Sequence, residues 1–406
     1  VTWTPWRSVV VFGLVSLAAD MVYEGMRAMA GPFLGSLGAS AATVGLVTGA
    51  GEAVALMLRL VTGAWADQGR RYWRLTVIGY ALTAVSVPLL AIAPFVGGAG
   101  VVVAAVLILA ERTGKAIRSP AKSALLAQMA TVTGRGRGFA VHKALDQVGA
   151  FAGPLLLAGL VALTGRYWPG FAVLAVPGAL SLWLLALLHR RAPIASDAEA
   201  AREVPASSLG AIAKVRTAVL GADLPRAFHL FSISTAFTTA GLMTFGVISF
   251  HLVATGLVTA SVVPVVYAGA MAVEAVAALA TGDLFDRWGG KVLLAVPVIV
   301  AAVPALVFTH RLWVVVVGVA LWGAATGIQD STVKAYVAEL VPAPRRATAY
   351  GVFAAVQGIG ALAGGALAGV LVTHHVGVLV AVVGVLQVAA VAQLVVTIRA
   401  TASARS

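Results

Sequence analysis

The residues best able to do chemistry in this chain are ionisable side chains embedded in apolar sequence. Asp20, Glu24 and Arg27 stand within one long hydrophobic run. Asp20 and Glu24 are four apart and Arg27 is three further on, so a helix puts all three on one face. Glu52 and Arg59 follow in the next run, then Glu111, Arg112, Lys115 and Arg118, then His142, Lys143 and Asp146. The second half of the chain offers only Glu274, Asp330 and Lys334 in comparable positions. A charge at bilayer depth costs about 2.5–3.5 kcal/mol even on lenient insertion scales, so each is retained for a reason. One reason is proton carriage, which needs a carboxylate raised by burial and lowered by a movable cation. Asp20, Glu24 and Asp146 fit that need, with His142 as a relay one turn before Asp146. The competing reason is permanent neutralisation, pairing Glu24 with Arg27 and Glu111 with Lys115. A divalent-metal site from Asp20, Glu24 and His142, flanked by Met21, Met26 and Met29, is a third reading. Basic residues at the same depth oppose it. No metal is therefore assigned to the site.

These side chains must be positioned by membrane helices. The chain has 406 residues, 60% of them hydrophobic and only 11% charged, with a mean hydropathy of +0.98. Soluble domains carry roughly 25% charged residues. Apolar runs of spanning length, about 17–25 residues, predict helices near 8–34, 41–64, 73–95, 99–120, 136–163 and 168–189. Six more are predicted near 226–254, 261–282, 291–309, 312–335, 346–372 and 376–398. A polar stretch separates the two sets. The expected organisation is thus an N-terminal six-helix half (1–189), a cytoplasmic linker (190–224) and a C-terminal six-helix half (225–406), all α-helical. Arg70, Arg71, Arg74, Arg135, Arg137, Arg190, Arg191, Arg287, Lys291, Arg345, Arg346 and Arg399 fall on one side of this topology, against little more than Arg166 and Arg311 on the other. That asymmetry places both ends of the chain in the cytoplasm, in a multi-pass protein of the cytoplasmic membrane.

The formal charge of +13 does not indicate nucleic-acid binding, because the basic residues are scattered between apolar spans and form no continuous face. With no cysteine, disulfides and thiolate chemistry are excluded. The 44 glycines include no cluster between a strand and a helix, so a phosphate-binding loop and a nucleotide cofactor are unsupported. They read instead as small residues that let helices approach. Scattered Ser and His show no nucleophile–base spacing, leaving an intramembrane enzyme or a receptor as remote alternatives.

An internal repeat points further. Gly63-Ala64-Trp65-Ala66-Asp67 with Gly69-Arg70-Arg71 follows the second span, and Gly282-Asp283-Leu284-Phe285-Asp286-Arg287 with Gly289-Gly290-Lys291 follows the eighth. Gly149-Ala150-Phe151-Ala152-Gly153 in the fifth span answers Gly360-Ala361-Leu362-Ala363-Gly364 in the eleventh. Two independent correspondences mark a duplicated architecture. The pattern resembles the major facilitator superfamily, with its acidic-basic loop between helices 2 and 3 echoed between helices 8 and 9. Gln68 replaces the Arg usual after Asp67, and Arg287 keeps that position in the second copy.

The resemblance implies two pseudo-symmetric six-helix bundles and no enzymatic activity. It makes Gly63, Asp67, Arg70, Arg71, Gly282, Asp286 and Arg287 a cytoplasmic latch, whose simpler alternative is a topology-setting basic loop. It also makes Gly149, Gly153 and Pro154 similar to an antiporter motif, with a closely packed, kinked helix as the alternative. Arg112 lies where family members commonly carry a proton-coupling arginine. The expected function is secondary transport of a small organic solute, coupled to protons and directed outward, by a monomer in the lipid bilayer. Uptake of a small solute, including an anionic one, or of a divalent metal ion is the alternative. The site expected at the central cavity is Asp20, Glu24, Arg27, Glu52, Arg59, Glu111, Arg112, His142, Asp146, Glu274 and Asp330, with no cofactor.

The charge asymmetry makes a direct prediction. A cysteine at Ser207, the first in an otherwise cysteine-free chain, reacts with an impermeant maleimide from the cytoplasmic side only; labelling from outside intact cells overturns the orientation.

Overall fold

In lipid no water is available to satisfy backbone N–H and C=O groups, so spanning segments must close their hydrogen bonds internally. The computed structural model is accordingly helical wherever it is ordered into elements. It describes residues 3–69, 71–130, 135–192, 224–342 and 345–403. The side chains at 64, 66–69, 135, 136, 347, 402 and 403 lie outside that description. The latch residues Asp67 (side chain) and Arg70 fall outside it, as does linker segment 193–223.

The first half comprises α1 (Pro5–Ser36), α2 (Ala41–Gly69), α3 (Tyr72–Leu89, prolonged as a 3-10 turn to Phe95), α4 (Gly100–Met129) and α5 (Arg135–Thr164). It ends with the pair α6 (Trp168–Val173) and α7 (Ala175–Arg191). The second half opens with α8 (Arg226–Leu242) and α9 (Phe245–Ala254), one span broken at Met243. Then come α10 (Val263–Trp288), α11 (Ala295–Val307), α12 (Leu312–Asp330) with α13 (Thr332–Leu340), α14 (Arg346–Leu371) and α15 (Val376–Ser403). Local sequence sets several ends. Thr4 caps α1, accepting from the Arg7 N–H at 3.3 Å, with Pro5 at the first helical position, where its missing N–H is not needed.

By length and apolarity, ten stretches among the described residues qualify as membrane spans. One of them, Val263–Val307, runs 45 residues, about 67 Å of helix against a hydrocarbon core of about 30 Å. It is divided at Gly289, whose φ of 59° and ψ of −150° suit glycine. Helix α4 is missing from the ten because every stretch of spanning length in it carries at least three charged residues, starting with Glu111, Arg112 and Lys115. Dividing the long stretch and admitting α4 recovers the twelve expected segments. The observed helices run past several expected ends, α2 to Gly69, α4 to Met129 and α13 to Leu340, because polar residues continue a helix once it leaves the apolar zone.

Small residues fix the helix contacts. On α5, a Cβ at Gly149 or Gly153 would collide with the backbone carbonyls of Leu17 or Met21 on α1. On α14, Gly360 and Gly364 meet Ala236 and Ala240 of α8 in the same way. The two halves therefore use one packing device twice. It accounts for the Gly149–Gly153 spacing without reference to transport direction, since the second copy lacks a following proline. Between halves, Gly45 of α2 abuts the Gly365 backbone of α14, and Gly31 of α1 abuts the Gly246 backbone of α9.

Gly153→Leu should therefore separate α1 from α5 and cost about 1–3 kcal/mol, the usual range for overpacking. The check is thermal unfolding of detergent-purified protein against Gly159→Ala, where an added Cβ meets nothing within 4 Å; equal melting of the two variants contradicts it.

Candidate functional site

The helices enclose a cavity of ≈ 320 Å³ between the halves. Its wall includes Asp20, Glu24 and Arg27 of α1, Glu52 and Arg59 of α2, Asp146 of α5, Glu274 of α10 and Asp330 of α12, all anticipated from sequence. Seven cationic and six acidic side chains line it, so it is a polar chamber. Exposure grades along it. The Glu24 and Arg27 side chains are 12% and 20% exposed, whereas Lys334 and Asp330 reach 41% and 64%. The chamber opens toward the face that carries the basic loops and narrows toward the opposite face. There, besides the glycine contacts, Thr48 of α2 and Thr244, in the break before α9, share a hydroxyl hydrogen bond of 2.7 Å.

The buried charges form an alternating ladder. Arg27 lies 3.8 Å from Glu24 and 3.2 Å from Glu52. Arg112 lies 3.6 Å from Glu52 and 3.7 Å from Glu111, and Arg118 lies 3.9 Å from Glu111. Thr83 donates to Glu111 at 3.3 Å and accepts from Arg118. Breaking a buried pair by removing one partner costs about 3–5 kcal/mol, so the ladder also ties α1, α2 and α4 together. Lys115 is not the partner expected for Glu111. It donates to the Tyr23 hydroxyl and sits 3.6 Å from that ring's centroid, while Arg112 and Arg118 flank the carboxylate in its place.

Three anticipated cavity residues stand behind the wall. Glu111 is fully buried, Arg112 nearly so, and they reach the chamber through the wall residues Glu52 and Arg118. His142 packs on Phe12 at 5.5 Å between ring centroids and lies 3.7 Å from Asp146. Asp146 in turn faces Lys122 at 3.6 Å, and Lys122 donates to Ser16 at 2.9 Å. Asp20 lines the chamber with no hydrogen bond or ion pair among the described residues. The divalent-cation alternative loses its geometric basis, because no three His, Asp or Glu side chains converge among the described residues.

The latch expectation meets a different arrangement in the second half. Arg287 pairs with Asp283 of its own helix at 2.9 Å, both side chains more than 60% exposed, a pair of little energetic weight. Asp286 lines a separate hollow with Lys291 and Glu339. In the first half Gly63 approaches Pro120 at an ordinary van der Waals distance and Arg71 is exposed, whereas Gly282 meets nothing.

Tyr267 of α10 carries no mark in the sequence, yet it completes the site. Its hydroxyl donates to Glu24 at 2.5 Å and accepts from Arg27 at 3.2 Å, bridging the two halves at the narrow end of the chamber. Its ring packs on Phe245 at 4.7 Å. Phe245 follows the Met243–Thr244 break, where Met243 holds φ of 48° and its carbonyl accepts the Trp322 indole N–H at 3.2 Å. A tyrosine in an apolar run gives no local signal of a partner 243 residues away.

Two packed helical bundles around a charged central chamber, reached from one face, define a polytopic membrane transporter and not an enzyme. The chain belongs to the Major Facilitator Superfamily, whose sequence model matches residues 12–273 and 231–405. It is 50% identical to an uncharacterized protein of Mycobacterium tuberculosis over 390 residues, 96% of this chain and 92% of that protein. An uncharacterized MFS-type transporter of Methanocaldococcus jannaschii is 27% identical over 375 residues, covering 90% of this chain and 88% of the other. The crystal structure of the nucleoside transporter NupG superposes with a TM-score of 0.70 at 15% identity, covering 97% of this chain and 98% of that one.

The bridge yields a prediction. Tyr267→Phe removes a hydrogen bond to a charged group, worth about 1.5–3 kcal/mol, and loosens the narrow end. A cysteine at Ser249, fully buried there, should then react roughly tenfold faster with an impermeant maleimide applied from the face opposite the basic loops. An unchanged rate removes Tyr267 from the closure.

Proposed function

We propose that this protein moves a small polar organic solute across the cytoplasmic membrane by alternating access, coupled to protons. The observation that carries the reading is the Tyr267–Glu24–Arg27 bridge, in which one carboxylate both lines the chamber and holds the two halves together at its narrow end. A proton on Glu24 removes one of the two carboxylates beside Arg27, leaving Glu52, and weakens the bridge, so proton occupancy biases the equilibrium between the two openings. Asp20, one turn away with no partner among the described residues, is the second carrier, and Asp146 the third. Glu52 and Arg118 on the wall, with Glu111 and Arg112 behind it, serve as fixed counter-charges.

The chamber's chemistry favours polar solutes. A wall of seven cationic and six acidic side chains suits a solute with charged or polar groups better than a lipophilic one. The Gly149, Gly153 and Pro154 element is the feature that favours export, and helix packing accounts for its glycines independently. Flux measured in both directions decides between export and uptake of an anionic or zwitterionic solute. With the basic loops in the cytoplasm, the chamber opens inward, and the boundaries 1–189, 190–224 and 225–406 divide two rocking halves from a linker.

The test uses proteoliposomes loaded with a pH-sensitive dye and challenged with small carboxylates, amino acids and neutral polyols. Solute-dependent proton movement, absent from empty liposomes, is expected. Among Asp20→Asn, Glu24→Gln and Asp146→Asn, at least one variant should lose pH-driven accumulation yet keep solute exchange. Unchanged pH-driven accumulation in all three would falsify proton carriage by these carboxylates; solute movement without protons leaves a uniporter.

A further inference from the structure

The two walls of the chamber are chemically unlike. The first half contributes most of the cations, and two of them, Arg59 and Lys143, form no ion pair among the described residues. The second half contributes Glu274 and Asp330. Asp330 is engaged by Lys334 at 2.9 Å, whereas Glu274 has no ion pair among the described residues and its Oε2 has no hydrogen-bond partner. The charges that act on Glu274 are the carboxylates Asp330 and Glu24 and the cations Arg27 and Lys143 of the opposite half, and Arg27 is already held by Glu52 at 3.2 Å.

Beside Glu274 the second half presents groups suited to a ligand. Gln329 is 7% exposed; its carbonyl oxygen accepts from Thr239 at 3.2 Å, but its amide nitrogen has no partner among the described residues. Trp322 is 2% exposed and its indole N–H is occupied by the Met243 carbonyl, leaving its ring as an apolar wall. A buried carboxylate without a cation is costly. Glu274 thus has no cation in ion-pair contact, and Arg59 and Lys143 line the same chamber without an ion pair of their own among the described residues.

We propose that the chamber is a polarised site for a small organic zwitterion, its ammonium group at Glu274 and its carboxylate or equivalent anion at Arg59 and Lys143. The Gln329 amide donates to an oxygen of the ligand and the Trp322 ring covers its carbon skeleton. A ligand carrying only one charge satisfies one wall and leaves the other unpaired, so discrimination comes from the unmet partner as much as from the met one. The site deepens the transport reading by naming its substrate class, yet occupancy of the site does not itself require movement across the membrane.

The experiment uses ω-amino acids of four to eight carbons, each with its carboxylate-only and ammonium-only analogues, and sodium chloride alone. Thermal shift of the purified full-length protein reports binding, since a ligand of the folded state raises the melting temperature with its concentration. At least one zwitterion should bind about tenfold or more tightly than both of its single-charge analogues. Glu274→Gln should abolish that advantage while keeping affinity for the carboxylate-only analogue within about twofold. Arg59→Gln should lower affinity for the carboxylate-only analogue and spare the ammonium-only one. Glu274→Gln removes an unpaired charge, so its melting temperature without ligand should equal or exceed that of the parent, which separates lost binding from misfolding.

Equal binding of zwitterion and single-charge analogues, indifference to Glu274→Gln, stabilisation by sodium alone, or no response to any probe overturns the proposal. Flux in proteoliposomes keeps the two readings apart. Zwitterion binding without flux defeats the transport reading and leaves the site, whereas flux of carboxylates regardless of an ammonium group defeats the site and leaves the transport reading.

Discussion

The rest of this structure depends on how a membrane protein keeps charges in its interior. An isolated ion there is expensive, and a paired one is tolerated only when geometry and hydrogen bonds complete the pair. The Glu24–Arg27–Glu52–Arg112–Glu111–Arg118 ladder meets that requirement by alternation across α1, α2 and α4. Its middle, Glu111 and Arg112, is buried, each with two opposite charges beside it. Both ends border the chamber, Arg118 at one and Glu24 with Arg27 at the other. One ladder thus has a structural middle and a responsive end at the inter-half bridge.

The responsive end is also where the halves meet. Tyr267 reaches Glu24 and Arg27 from α10, and its ring leans on Phe245 beside the break in the seventh span. Met243 in that break carries a positive φ, which a residue with a Cβ adopts only when its surroundings hold it. The Trp322 indole supplies part of that hold through the Met243 carbonyl. A chamber-lining tryptophan, a strained joint and the inter-half bridge are therefore mechanically contiguous.

Much of this is legible in the sequence, for physical reasons. Charges in apolar runs are conspicuous because they violate the local pattern, so Asp20, Glu24, Arg27, Glu52, Arg59, Asp146, Glu274 and Asp330 stand out as cavity residues from their positions alone. Spacing of three or four residues also reveals which face of α1 they share. What spacing does not reveal is pairing between helices. Helical spacing matches Glu111 to Lys115, yet Glu111 meets Arg112 and Arg118, and Lys115 turns to Tyr23 on α1. His142 satisfies the same local criterion as Asp146 but packs on Phe12 behind the wall. Tyr267, Trp322 and Gln329 escape notice because neutral side chains in an apolar run look like lipid-facing or packing residues until the opposite helix is in place. Helix α4 shows the converse: its apolar first turns mark a span, and its charges alone set it apart from the other spans.

Comparing the halves separates what the duplication shares from what it does not. The glycine contacts that seat α5 on α1 recur where α14 seats on α8, so backbone packing is common to both copies. The charges are not. The first half holds the ladder, with α4 alone carrying five ionisable groups, whereas the second half lines the chamber with Glu274, Asp330 and Lys334 among neutral donors and an aromatic ring. Packing glycines are constrained by backbone contact and resist divergence, while chamber residues are constrained only by what occupies the chamber. The scaffold is thus duplicated while the charges that line its cavity are not. That asymmetry sets the ionic ladder on one wall of the cavity and Glu274, Asp330, Gln329 and Trp322 on the other, and the Tyr267 hydroxyl joins the two halves through Glu24 and Arg27.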